Sequence, residues 1–148
     1  MLDNYNIGIL TVMIKKDLLL KNQFKLDYNF IEDFDLIFRL SFKTKFYFIE
    51  LPTSYYRYHE KNLSKIELDK FINEFKRWID LNNKKINNNL NFKNLETKVK
   101  LMEIKNDILK GNKLKAFSKM IYYNLYKNYF KRLKLFLTLF LPSFLLKK

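Results

Sequence analysis

Two short strings in this sequence gather side chains capable of chemistry. The first is Ile31-Glu32-Asp33-Phe34-Asp35-Leu36-Ile37-Phe38-Arg39-Leu40. Its carboxylates open a stretch whose apolar residues recur at helical spacing, with Leu36, Ile37 and Leu40 on one face. Backbone N–H groups and the macrodipole at a helix start favour an anion. Asp33 is therefore expected as a carboxylate held rigidly at a cleft edge, where it can accept a proton. The second string is Leu51-Pro52-Thr53-Ser54-Tyr55-Tyr56-Arg57-Tyr58-His59-Glu60-Lys61-Asn62-Leu63-Ser64. If Tyr55 to His59 is extended, Arg57 and His59 share a face, because the strand period is two. A guanidinium beside the chain's one imidazole could cradle a diphosphate, with His59 ligating a divalent ion. Each string also has a plainer reading. An acidic helix start is ordinary N-terminal chemistry, and a lone His more often ends a strand than binds a metal.

The elements that would position these groups read as mixed α/β up to about Ser64. Residues Ile7 to Ile14 form a β-branched, apolar run of strand length, and Asp17 can cap a short Leu18-Leu19-Leu20 turn. Asp33 to Ser41 is expected as a helix. Two further strands are expected at Phe46 to Leu51 and Tyr55 to His59, separated by Pro52-Thr53-Ser54. From Ser64 the pattern turns helical. Ser64-Lys65-Ile66-Glu67 reads as a capping box for a helix bearing Leu68, Phe71, Ile72, Phe75, Trp78 and Ile79. Asn82 to Asn94 reads as a solvated loop. A second helix is expected from about Leu95 to Lys110, with Gly111 as its C′ stop. A third begins near Lys113 and carries Phe117, Met120, Ile121 and Leu125.

Composition narrows the possibilities. The 148 residues are 48% hydrophobic and 18% aromatic, enough for a packed core and against disorder. The chain has no Cys, which excludes a disulfide framework and thiolate metal sites and suits a reducing cytosol. No basic-then-apolar pattern of a secretory signal opens it. The net charge of +14 is lopsided. Up to Lys65 there are ten Lys/Arg against eight Asp/Glu; after it there are nineteen against seven, and none of the acids follows Asp107. An anionic partner is thus expected for the back of the chain and not for all of it.

In order and spacing, the strings resemble the C-terminal half of the large family 2 of inverting, nucleotide-sugar-dependent glycosyltransferases. The resemblance runs from about Asn6 to Ser64. It rests on the Gly8 to Ile14 run, the Glu32-Asp33 pair opening a helix that ends near Leu40, and Tyr56-Arg57-Tyr58-His59 followed by Asn62 and Ser64. It implies an α/β fold, the acceptor-side, C-terminal part of a GT-A domain over residues 1–64, with an α-helical, basic, membrane-proximal extension over 65–148. It also implies roles. Asp33 would be the catalytic base, Glu32 an acceptor-binding neighbour, Arg57 a diphosphate contact and His59 a metal contact. A divalent cation, Mg or Mn, would accompany the nucleotide-sugar donor in a complete enzyme. Asp33-Phe34-Asp35 spells the aspartate-x-aspartate of the family's metal string, but at helical spacing its carboxylates diverge by about 200° and cannot share one ion. Asp35 is expected to be a solvated helix-start residue. The family's donor-binding half is expected ahead of Met1 or as a separately encoded partner, so the chain alone is expected to be inactive.

The end of the chain admits two partners. Leu135 to Leu146 is almost wholly apolar, yet too short to span a bilayer as a helix. Basic residues beside it suit the headgroup region of an anionic leaflet, which gives an expected peripheral location on the cytoplasmic face of the cell membrane. The rival is a basic scaffold module without catalysis, binding nucleic acid or membrane. Lys/Arg interleaved with Tyr and Phe between Lys113 and Lys134 could meet phosphates and stack on bases. It leaves the nearly neutral front unexplained, so nucleic acid ranks below glycan chemistry.

Overall fold

The computed structural model describes residues 7–57, 67–83 and 90–123, with the backbone alone for 90 and 91. Among these residues the secondary structure is helical throughout: α1 (Lys16–Leu20), α2 (Glu32–Ser41), α3 (Leu68–Asn82), α4 (Leu90–Leu109) and α5 (Lys113–Tyr122), preceded by a 3₁₀ turn at Ile9–Thr11. The expected α/β fold, with its GT-A sheet, is therefore overturned for the described residues. In place of the first strand, the Thr11 N–H and the Thr11 hydroxyl both donate to the Gly8 carbonyl, at 2.9 and 2.8 Å, and the chain tightens into its 3₁₀ turn. Phe46 to Leu51 and the described part of Tyr55 to His59 lie exposed and outside any ladder. β-branched and aromatic residues mark a surface that fits a sheet, and without a neighbouring strand that propensity has no ladder to join.

The contacts divide the chain into two compact units, residues 1–77 and 78–148, with the division inside α3. The boundary expected at Ser64 lies outside the described residues. The first unit is built on α2. Phe34, Leu36, Ile37, Phe38 and Leu40 are all buried on it, so the helix is enclosed on more sides than its three-residue stripe implied. Phe34 meets Phe75 of α3 with ring centroids 5.0 Å apart, and Phe71 packs edge-on to Phe75 at 4.9 Å. Glu74 closes the loop before α2: its carboxylate accepts the Asn29 N–H at 2.9 Å and the Phe30 N–H at 2.9 Å. The expected cap at α1 is not made. Asp17 sits inside the first turn, Lys15 holds the N-cap position, and neither side chain bonds the helix start.

The second unit holds the end of α3, α4 and α5. Trp78 is fully buried and lies 6.4 Å from Phe92, centroid to centroid. The helix α4 begins at Leu90, several residues before the expected Leu95, which shortens the Asn-rich loop. It stops where the sequence says it should. Gly111 has φ +80°, its N–H donates to the Ile108 carbonyl at 3.0 Å, and the Asn112 N–H donates to the Asp107 carbonyl at 2.9 Å. Those are the two bonds of a Schellman cap, which needs a left-handed residue at that position. The turn folds α5 back so that Ala116 and Met120 close over Ile104 and Ile108, with Tyr123 alongside.

Candidate functional site

The first turn of α2 carries Glu32, Asp33 and Asp35, and the structure gives the three different surroundings. The Asp35 side chain is 2% exposed. Its Oδ2 meets Arg39 Nε at 2.7 Å and its Oδ1 meets Lys25 Nζ at 3.4 Å. Arg39 in turn donates from Nη2 to the Gln23 carbonyl at 2.8 Å. Asp35 is thus a buried clamp that ties the 23–25 loop to α2, which corrects its expected solvated role. Nearby, Lys43 Nζ donates to Asn22 Oδ1, and Asn22 Nδ2 donates to the Leu18 carbonyl at 2.8 Å, which fastens the end of α1 as well.

Asp33 is half-buried, and its Oδ1 accepts the Phe34 N–H at 2.6 Å. Among the described residues no cation pairs with it. Its carboxylate lies at the helix start, where the dipole favours an anion. Glu32 is also half-buried, and its Oε2 is out of water with no hydrogen-bond partner among the described residues. A buried carboxylate oxygen left so is uncommon and asks for an incoming donor. No group of three His, Cys, Asp or Glu among the described residues could hold a metal.

Arg57 lies exposed in a segment without regular secondary structure, and no hydrogen bond or ion pair among the described residues joins it to Glu32 or Asp33. His59, with the metal role given to it, falls outside the described residues, as does the capping box at Ser64 to Ile66. Of the expected site residues, then, Glu32 and Asp33 share one helix start, and Arg57 stands apart from it.

Some of the most strongly bonded polar groups were not anticipated from the sequence. Lys119 of α5 bridges Glu103 and Asp107 of α4, each at 2.6 Å, and the Tyr123 hydroxyl donates to Glu103 Oε2 at 2.7 Å. Burial opposes the charge on Lys119, but its bonds to Asp107 and Glu103 outweigh that and raise its pKa. Burial and then the bond to Glu103 push the Tyr123 hydroxyl up to about 12. Tyr28, which lies under Lys25 at 5.7 Å, is raised by burial and next by the Asp35 charge. The legible signal for the α4–α5 cluster was the Glu103/Asp107 pair itself. Like charges four apart on a helix repel unless a cation lies between them.

No family model matches this sequence, and neither a curated protein nor a solved structure was found to be similar to it. The carboxylate pair on α2 can accept a proton and a hydrogen bond from a hydroxyl substrate. The described residues supply no second reactive group beside it.

Proposed function

We propose that this chain is the acceptor-side portion of an inverting, nucleotide-sugar-dependent glycosyltransferase acting on a cell-surface glycan or a lipid-linked sugar. In this reading Asp33 is the base that takes the proton of an acceptor hydroxyl as it attacks the anomeric carbon. Glu32 receives a second acceptor hydroxyl at its partnerless Oε2. The observation that carries the reading is the contrast within one helix turn. Asp35 is paired with Lys25 and Arg39, while among the described residues no cation pairs with Asp33 and the buried Oε2 of the neighbouring Glu32 has lone pairs with no donor. Ordinary helix-start chemistry accounts for the position of Asp33 but not for the isolation of Glu32 Oε2.

Arg57 would meet the donor diphosphate, and His59 a Mg or Mn ion that travels with the nucleotide-sugar. Both act only once a donor-binding part is assembled with this one, so the chain by itself turns over no nucleotide-sugar. The protein works on the cytoplasmic side, peripheral to the inner face of the cell membrane. Among the described residues no helix is long and apolar enough to cross a membrane. The test uses membranes from source cells with and without the gene, supplied with a panel of radiolabelled nucleotide-sugars. The reading expects one sugar to lose its incorporation into glycan or lipid on deletion and to recover it when the full chain is restored. Incorporation of every sugar at an unchanged rate after deletion would sink it.

A further inference from the structure

The helix α5 has apolar residues on two faces, and among the described residues one of them closes on α4. The inner face, Ala116 and Met120, closes on α4. At about 100° per residue, Leu114, Ile121 and Tyr122 fall within a single arc of roughly 100° on the opposite side, with Phe117 at its border. Leu114 is 88% exposed, Ile121 56% and Tyr122 83%. Lys115 lies about 20° beyond one edge of that arc, the exposed Ser118 falls inside it, and no acidic residue follows Asp107 anywhere in the chain. The third lysine of the helix, Lys119, is turned inward onto Glu103 and Asp107.

We infer that this outer face of α5 is a docking surface for an anionic lipid bilayer. Charge selects the occupant: an apolar, aromatic patch with Lys115 at its edge, on a part of the chain without acidic residues, matches an acyl boundary with phosphate headgroups above it. The amphipathic Tyr at the margin suits the same depth. Continuity supports it too, since the sequence after Tyr123 supplies Lys127, Lys131, Arg132 and Lys134 and an apolar run from Leu135. The hairpin with α4 presents the face pre-formed, so a ten-residue helix need not fold on the membrane to use it. A soluble protein partner with acidic groups would meet the lysines but not require the Tyr-edged stripe. The inference does not depend on the glycosyltransferase reading.

The test is flotation of the full chain with phosphatidylcholine vesicles that contain or lack phosphatidylglycerol. It compares the unchanged protein, a Leu114→Ser/Ile121→Ser/Tyr122→Ser variant and a Lys115→Glu variant, with thermal unfolding as the check on folding. Because all four side chains are exposed, the unfolding midpoints should stay together. Binding should require phosphatidylglycerol, weaken with added salt, and fall about tenfold or more in both variants. Vesicle binding that is the same in all three proteins would overturn the inference. So would binding of a single-stranded oligonucleotide that the same substitutions abolish while vesicles are ignored, since the face would then read nucleic acid.

Discussion

Asp35 is held from two sides, by Arg39 at 2.7 Å and Lys25 at 3.4 Å, with its side chain almost wholly out of water. Two positions earlier, Asp33 accepts a backbone N–H, and no cation among the described residues pairs with it. These surroundings separate stability from chemistry. Arg39→Ala removes a charged donor from the buried Asp35 carboxylate and leaves Lys25 facing it, so it should destabilise the first unit by about 1.5–3 kcal/mol. Asp33→Asn should change stability by less than about 1 kcal/mol, the scale of a helix-start charge. Urea unfolding of the two variants measures the difference directly. The sequence placed Glu32 and Asp33 at a helix start but read Asp35 as solvated, although four positions on a helix put it together with Arg39. It could not show Lys25, ten residues away on a loop, or Glu74, which reaches Asn29 across 45 positions.

Alkaline pH probes a second set of residues. Lys119 is raised above 10.5, so its contribution is complete below that value and disappears as pH climbs through the raised one. Tyr123, raised from 10.0 to about 12, acts in the same direction: in that window the unfolded chain has already lost its proton and the folded one keeps it. Stability of the second unit should therefore fall as pH rises from about 10 towards 12. In Tyr123→Phe the decline should be shallower over the same window, as read by circular dichroism at stepped pH. An unaltered slope would remove Tyr123 from the set.

At the scale of elements, the α4–α5 turn and the phase of α5 are the informative pair. Gly111 was readable as a C′ residue, and its positive φ bears that out. A Cβ there would meet nothing within 4 Å, so Gly111→Ala should weaken the unit only through backbone strain, by about 1 kcal/mol. The phase of α5 was not readable. Of the apolar residues the sequence assigns to it, Met120 is buried, together with Ala116, while Phe117 and Ile121 are exposed. A helix with apolar residues on both faces gives no single stripe, and tertiary contact decides which one turns inward. Ile104→Ala should accordingly cost about 2–5 kcal/mol, whereas Ile121→Ala should stay within about 0.5 kcal/mol. Chemical unfolding monitored at Trp78 compares them. The strands expected at Ile7 to Ile14 and Phe46 to Leu51 failed for a related reason. Period-two apolar residues indicate readiness to pair, and pairing requires a neighbour that local sequence does not name.

Across the whole molecule, charge and chemistry are carried by different parts of the chain. The front holds the α2 carboxylates at a nearly balanced charge, and the residues after Asp107 are basic without exception among their charged positions. This division suits a protein whose reacting groups face a sugar while its other end meets an anionic surface. Composition made that separation visible before any coordinates, because net charge per segment does not depend on the fold. The measurement that bears most directly on the account is complementation of the gene deletion by Asp33→Asn and by Glu32→Gln, with glycan sugar composition as readout and circular dichroism confirming the fold. The account predicts that the Asp33 variant folds normally and restores about a hundredth or less of the missing sugar, the usual scale for loss of a general base, with Glu32→Gln in between. Full restoration by Asp33→Asn would contradict the role given to this carboxylate and with it the proposed reaction.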